Sequence, residues 1–163
     1  FYLGYALEQM RGTFFRQVMF SEFELAIHEE VEKGNALTGA RMTQIYGEIL
    51  KRYHGHDEGV MNISEREMIE WAYIPHFYYN FYVYQYATSI AGAAYFVEQL
   101  NTDTENARDV YLNFLKAGGS HYPVEILKQA GLDMTSPAPY NAVIDRMSAV
   151  MDEIETILDS KGN

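Results

Sequence analysis

Apolar residues recur at helical spacing along most of the chain, and the pattern is strongest at its start. Over residues 1–33, steps of one, three and four positions join an apolar stripe typical of a buried helix face, made of Phe15, Val18, Met19, Phe23, Ala26, Ile27 and Val31. A polar end followed by Gly34 indicates where this helix stops. The pattern therefore predicts a long first helix over residues 1–33.

Capping residues indicate where the next two helices begin. Thr38 can cap a helix that runs to about residue 53. Ser64 and Glu67 have the spacing of a capping box, in which the Ser64 hydroxyl takes the Glu67 amide and the carboxylate returns to the Ser64 amide. This box predicts a short helix that stops near residue 73.

The sequence also predicts helices in the second half of the chain. Pro75 disfavours helical geometry in the residue before it and suits the first turn of a new helix, so we expect a long helix over residues 76–100. Three later helices are expected, one opened by a second capping box at residues 102–105 and running to about 117, one over 123–130 and one over 140–160. No segment shows the two-residue alternation of a strand. The predicted fold class is all-α.

Charge and cysteine content exclude several classes of function. The chain has 12 Lys and Arg against 23 Asp and Glu, a formal net charge of -11, which argues against a nucleic-acid partner because phosphate neutralisation needs clustered basic residues. The absence of cysteine excludes disulfides, thiolate zinc sites and a cysteine nucleophile. No apolar run approaches the roughly 18 residues of a membrane span, so we expect no membrane partner.

The first ten residues do not resemble a natural start. They contain neither an initiator Met nor the basic region of a signal peptide. They read instead as the middle of a helix. We therefore expect the chain to be a piece of a longer protein.

Three patterns that could bind metal are incomplete. His28 begins a His-Glu-x-x-His pattern, but Glu32 stands where the second His is needed, so we interpret this stretch as a solvated acidic helix end. Glu24 and His28 are one residue too far apart for the Glu-x-x-His pair of a di-metal bundle. His54, His56 and Asp57 lie together in a loop without a fourth ligand, and adventitious metal binding is the most that we expect there.

Segment 74–86 is unusual for its tyrosines and reads Ile-Pro-His-Phe-Tyr-Tyr-Asn-Phe-Tyr-Val-Tyr-Gln-Tyr. On a helix, His76, Asn80 and Tyr84 would lie within about a quarter-turn of one another, beside a stripe of other tyrosines. A buried hydroxyl without a partner costs about 1–3 kcal/mol, so repeated tyrosines are reasonable if they line a wet cleft. There, phenol and imidazole donors can stabilise a developing oxyanion. A tyrosine-rich helix that packs on its neighbours is an equally good interpretation.

Several segments resemble the C-terminal catalytic segment of oligoendopeptidase F, in the M3 family of zinc metallopeptidases. The most specific resemblance lies in Ile74-Pro-His-Phe-Tyr-Tyr-Asn-Phe-Tyr-Val-Tyr-Gln-Tyr-Ala-Thr88. Before it come Arg11-Gly-Thr-Phe-Phe-Arg-Gln-Val-Met-Phe-Ser-Glu-Phe-Glu24 and Gly34-Asn-Ala-Leu-Thr38. After it, in the family's order, come Ala117-Gly-Gly-Ser-His-Tyr-Pro123 and Lys128-Gln-Ala-Gly-Leu-Asp133.

The resemblance implies a mostly helical zinc enzyme with a deep channel that admits short peptides. In such proteins the zinc ligands, two His of His-Glu-x-x-His and a Glu, lie upstream of the segment that resembles this chain. Residues 1–163 are then expected to be one helical segment, the C-terminal portion of the catalytic domain, inactive alone and without bound zinc. The implied partners are short peptide substrates and the N-terminal remainder of the same enzyme, and the implied location is cytoplasmic.

The resemblance also implies roles for single residues. His76 matches the family histidine that contacts substrate near the metal, and Tyr84 matches the tyrosine that donates to the oxyanion. In thimet-like relatives a second functional tyrosine lies seven positions earlier, where this chain has Phe77. Tyr78 or Tyr79 can take its place, and helical phase favours Tyr79.

Two further positions and one alternative function follow from the same segments. Tyr82 is expected to form part of the substrate-side wall, and Gly119 can let a substrate backbone approach closely, although a helix stop accounts for this glycine equally well. The alternative function is a non-catalytic helical module whose aromatic groove binds a peptide or a small ligand. A His-Glu-x-x-His upstream would favour the peptidase, and an unrelated domain there would favour the binding module.

Overall fold

The computed structural model describes residues 1–161, and all regular elements in that range are helical. The all-α prediction is confirmed, since the described residues contain no strand. The chain divides into two compact units, one made of Phe1–Phe14 with the chain from Tyr86 onward, the other of Phe15–Gln85. No helix within residues 1–161 has both the length and the apolar character needed to cross a bilayer.

The predicted first helix is a continuous helical run with a π-helical turn inside it. Its parts are α1 (Tyr2–Met10), the π turn (Arg11–Phe15) and α2 (Arg16–Glu32). The predicted stop at Gly34 is confirmed: Gly34 has φ +82°. Its N–H donates to the Val31 carbonyl at 2.9 Å, and the Asn35 N–H donates to the Glu30 carbonyl at 3.0 Å. This pair of bonds is a Schellman motif. Val31 was expected in the buried stripe but is 55% exposed, because it lies in the last turn of α2.

The second unit is built from α2, α3 (Gly39–Tyr53) and two 3₁₀ helices, Glu67–Tyr73 and Pro75–Tyr79. The predicted cap of α3 is confirmed, since Thr38 Oγ1 accepts the Arg41 N–H at 3.2 Å. Helix α3 packs against α2 on one side and against the first 3₁₀ helix on another. The short helix predicted to stop near residue 73 is therefore present in the tighter 3₁₀ form.

Aromatic rings form the centre of this unit. Phe23 and Tyr46 are almost completely buried, and their rings meet edge to face at 5.2 Å. The Tyr46 hydroxyl donates to Glu70 Oε2 at 2.6 Å, and Arg16 forms an ion pair with the same carboxylate. Burial raises the pKa of Tyr46 above its ordinary value, and the bond to Glu70 raises it further. The buried phenol is thus kept neutral, with its proton donated to a carboxylate.

The capping box at Ser64 is half formed. Glu67 accepts the Ser64 N–H at 2.8 Å, as predicted. The Ser64 hydroxyl donates to the same carboxylate, whereas the Glu67 N–H donates to the Ser64 carbonyl at 3.2 Å. The pKa of Glu67 is lowered, mainly by its bonds from Ser64.

The long helix predicted over residues 76–100 is wrong. The chain leaves the second 3₁₀ helix at Tyr79, passes through Asn80 (φ 49°) and Phe81 (φ 59°), and begins α4 (Tyr84–Thr102) only afterwards. Positive φ at two successive residues breaks a right-handed helix, and it is rare for a side chain as bulky as Phe. The predicted helical stripe of His76, Asn80 and Tyr84 therefore does not exist.

The first unit contains α1 and the helices after the break, most of α4, then α5 (Thr104–Ala117), α6 (Pro123–Gln129) and α7 (Ala138–Lys161). Helix α1 packs on α7, and α5 packs on α6. Buried Phe96 contacts the rings of Tyr111 at 5.3 Å and Phe114 at 5.2 Å. The bounds of α5, α6 and α7 confirm the three later helices predicted from the sequence.

The capping box predicted at residues 102–105 is wrong. Helix α4 extends through Thr102, whose hydroxyl donates to the carbonyls of Glu98 and Gln99, both at 3.1 Å. Asp103 occupies the N-cap position of α5 and makes no side-chain capping bond. Thr102 ends one helix instead of beginning the next.

Candidate functional site

The tyrosine loop, which we define as residues 78–82, leaves the core of the second unit and returns to it. Before the loop, the Phe77 ring packs edge to face on Phe20 at 5.6 Å and on Phe23 at 5.2 Å. After the loop, Val83 is 1% exposed and belongs to the same core. Phe77 and Val83 thus fix both ends of the loop.

Three rings near this loop form what we call the aromatic cluster, His76, Tyr79 and Tyr82. The imidazole of His76 stacks on the Tyr82 ring at 5.7 Å with an interplanar angle of 12°. The Tyr79 ring meets both edge-on, at 6.3 Å from His76 and 5.9 Å from Tyr82. Tyr79 is 63% exposed, so the cluster reaches the surface. It brings one imidazole and two phenols, all capable of donating hydrogen bonds, to one place.

Two other predicted tyrosines lie beside the cluster in sequence and are exposed. Tyr84 is the first residue of α4, and 49% of its surface is exposed. Tyr78 is 86% exposed. Their predicted roles in oxyanion stabilisation and substrate contact stay predictions.

Gly119 belongs to the first unit, after the end of α5. Gly118, with φ +50°, is the residue that ends this helix. A Cβ added at Gly119 would meet no atom within 4 Å. The helix stop thus explains Gly118, and the substrate-binding role of Gly119 stays a prediction.

Glu24 holds the tyrosine loop and was not among the predicted site residues. It lies on α2, is 1% exposed, and its Oε1 accepts the Phe81 N–H at 2.7 Å. Its Oε2 is buried and has no hydrogen-bond partner among the described residues. The spacing of Glu24 to His28 had drawn attention to it as a metal ligand. The available signal was a charged residue inside an apolar stripe, directly after Phe23.

The histidine loop, residues 54–63, uses its imidazoles to hold its own backbone. His56 Nδ1 accepts the Ile63 N–H at 3.0 Å, which places the ring proton on Nε2. His54 Nδ1 lies 2.9 Å from the Leu50 carbonyl and donates to it. Residues 1–161 contain no group of three or more His, Asp or Glu side chains that could hold a metal ion. These contacts give both histidines a structural role.

The acidic end of α2 is the helix end that the sequence predicts, but it is only partly solvated, since Glu29 and Glu32 are exposed whereas the Glu30 side chain is 16% exposed. Glu29 accepts from Lys33 at 3.2 Å, and Glu30 accepts from Arg41 at 3.0 Å. The helix continues through Glu32. The His28 segment is therefore confirmed as a helix terminus.

Comparison with known proteins identifies the relatives of this chain. Residues 3–146 match the model of peptidase family M3. Oligopeptidase PepF of Bacillus subtilis is 45% identical over 156 residues, covering 96% of this chain and 23% of its own length. An oligoendopeptidase F homolog of Lactococcus lactis is 40% identical over 96% of this chain and 26% of its own. The crystal structure of oligoendopeptidase-F from Enterococcus faecium superposes with a TM-score of 0.87 at 38% identity, over 97% of this chain and 30% of that one. The chain spans about a quarter of the length of the curated relatives it matches.

Proposed function

The chain belongs to peptidase family M3, and we propose that it is the C-terminal portion of the catalytic domain of an oligoendopeptidase that hydrolyses internal bonds of short peptides. The similarity to PepF and to oligoendopeptidase-F over nearly the whole chain supports this proposal. The partner is then the N-terminal remainder of the same enzyme, and the substrate is a short peptide. We expect the separate chain to cleave nothing. A cytoplasmic location stays a prediction.

Members of this family are zinc peptidases, and the complete enzyme is expected to carry zinc. The described residues of this chain do not fit a zinc site, because they contain no group of three potential ligands. The steps proposed for this chain therefore concern hydrogen bonding and orientation alone.

The aromatic cluster is the observation that carries the proposal. The ring centres of His76, Tyr79 and Tyr82 lie 5.7–6.3 Å apart, with His76 just before the tyrosine loop and the two tyrosines on it. A peptide carbonyl that becomes tetrahedral gains negative charge on its oxygen, and donors fixed beforehand stabilise that charge without reorganising. We assign His76 and Tyr79 to contact with the reacting peptide, and Tyr78, Tyr82 and Gly119 to contact with the rest of the substrate.

Tyr84 is assigned as the donor to the oxyanion. Its position at the start of α4, half exposed and two residues after the cluster, is compatible with that role. The hydroxyl is expected to act mainly in the transition state, where the carbonyl oxygen carries charge. Its contribution should then appear in kcat more than in KM.

The test is Tyr84→Phe in the complete peptidase, assayed with a fluorogenic oligopeptide. Removal of one oxyanion donor should lower kcat by about 100- to 1000-fold while KM and zinc content stay nearly unchanged. Tyr73→Phe is the matched control, because Tyr73 is 78% exposed in the same unit and outside the loop. A rise in KM with normal kcat would instead make Tyr84 a ground-state binding residue.

A further inference from the structure

Glu24 is a charged group in a place that disfavours charge. Its side chain is 1% exposed, on the face of α2 that also carries the core residues Phe20 and Phe23. One carboxylate oxygen has a single backbone donor, and the other has no partner among the described residues. Burying a carboxylate with an unsatisfied oxygen reduces stability. An apolar side chain would suit this position better if folding were the only requirement.

The donor that reaches Glu24 belongs to the strained part of the tyrosine loop. Asn80 and Phe81 both have positive φ, at 49° and 59°. Non-glycine residues keep such angles only where the surroundings hold them there. The Phe81 N–H lies outside every helix, and the carboxylate gives it a charge-assisted bond of 2.7 Å.

A second contact from the same helix holds the same residue. His28, one turn after Glu24 on α2, packs its ring on the Phe81 ring with 4.4 Å between centroids and 33° between planes. Glu24 thus holds the backbone of Phe81, and His28 holds its side chain. Both come from a 17-residue helix, which is a rigid support for a loop.

The turn decides how the aromatic cluster is assembled. Tyr79 precedes the two left-handed residues and Tyr82 follows them, yet their rings lie 5.9 Å apart and both contact His76. A right-handed path through residues 80 and 81 would send Tyr82 in another direction. The contact between the rings therefore depends on the turn that Glu24 holds.

We propose that Glu24 is a positioning residue of the peptidase: its buried carboxylate holds the left-handed turn at Asn80 and Phe81 and so fixes His76, Tyr79 and Tyr82 for substrate contact. This inference rests on the proposed function, since it assigns the cluster to the substrate. Glu24 itself does not touch the reacting atoms. It acts through the backbone of the loop.

The test uses the complete peptidase with Glu24→Ala and two independent measurements. Amide hydrogen exchange of the peptide that covers the loop should accelerate by about tenfold or more, because the turn loses its acceptor. A displaced cluster should lower kcat by about 10- to 100-fold, with a smaller change in KM. Exchange in α3 should stay as in wild type, which shows that the core has not opened.

Two variants separate positioning from folding. Glu24→Gln retains a carbonyl oxygen that can accept the Phe81 N–H, so kcat should stay within about threefold of wild type. Glu24→Leu fills the same space without an acceptor, so it should show the same faster exchange and the same lower kcat, and it replaces Glu24→Ala in the test if the Ala variant does not fold. Glu32→Ala, which removes an exposed carboxylate from the same helix, is the control and should change neither measurement.

The outcomes distinguish this inference from the proposed function. Normal kcat in both Glu24→Leu and Glu24→Ala would overturn the positioning role and leave the peptidase proposal intact. Loss of activity in Glu24→Gln equal to that in Glu24→Leu would also overturn it, because the charge and not the acceptor would then matter. A wild-type protein that cleaves no peptide would overturn the proposed function, and the positioning role with it.

Discussion

The histidine loop and the tyrosine loop of the second unit both contain left-handed residues. They differ in the side chain that accepts a hydrogen bond from a backbone N–H of the loop. In the histidine loop the left-handed positions are Gly55 (φ 59°) and Gly59 (φ 75°), where a glycine adopts the conformation without steric cost. A side chain of the loop itself, His56, accepts the Ile63 amide. In the tyrosine loop the left-handed residues are Asn80 and Phe81, and the acceptor comes from α2.

The difference separates a structural loop from a candidate functional one. In the histidine loop, the His56 imidazole accepts a backbone N–H of the same loop, so this ring has a structural role. The tyrosine loop is held by a carboxylate from α2, and its aromatic cluster reaches the surface at Tyr79. In this unit the backbone acceptor comes from within the loop in one case and from a neighbouring helix in the other.

The largest effect that would sharpen this comparison is expected from His56→Ala. It leaves the part-buried Ile63 N–H without its acceptor, which should destabilise the protein by about 1–3 kcal/mol in urea unfolding. His56→Asn places an amide oxygen near the position of Nδ1 and should restore most of the loss. Peptidase activity of the folded variants should be unchanged. A large loss of peptidase activity in a His56 variant as stable as wild type would show that the histidine loop is not purely structural.

A somewhat smaller effect is expected from Gly55→Ala. An alanine at φ 59° is strained, and its Cβ would lie 2.9 Å from Val60 Cγ2, so we expect a loss of about 1–2 kcal/mol. Gly119→Ala is a suitable control, because the added Cβ meets no atom within 4 Å. Equal stability of the two variants would show that the left-handed turn at Gly55 is not required.

The smallest effect is expected from Asn80→Gly in the tyrosine loop. Glycine adopts φ 49° more readily than asparagine, but it also has more freedom in the unfolded chain, so stability should change by less than about 1 kcal/mol. Loop exchange should stay slow as long as Glu24 is present. Fast exchange in this variant would mean that the Asn80 side chain, and not Glu24, holds the turn.

Most helices could be predicted from the sequence because their signals are local. Thr38 and Gly34 act on backbone groups within a few residues, and their bonds form as predicted. The break at residues 80–81 has a different origin. Asn80 was a weak local signal of the break, since asparagine tolerates left-handed geometry. The left-handed conformation of Phe81 involves a hydrogen bond to Glu24, a residue 57 positions away. Periodicity cannot report a contact of that range.

The contacts within the candidate site were predicted in part. Helical phase placed Tyr79 near His76, and their rings are 6.3 Å apart within a short 3₁₀ helix, whereas the long helix expected to continue to Tyr84 is broken at residues 80 and 81. The residue that holds the loop was missed because Glu24 was judged by its spacing to His28 as a metal ligand. In the structure these two residues share a different partner, Phe81.

The position of Glu24 Oε2 has a consequence for protein engineering. A stabilisation protocol that replaces buried, poorly satisfied polar groups with hydrocarbons would select this position early, because the residue is 1% exposed and one carboxylate oxygen has no partner within residues 1–161. Such a change would remove the unsatisfied oxygen, but it would also leave the Phe81 N–H without its acceptor and release the loop. Under the proposed function, a screen for thermal tolerance alone would not reveal the effect of releasing the loop, so it should be paired with an activity assay of the complete peptidase.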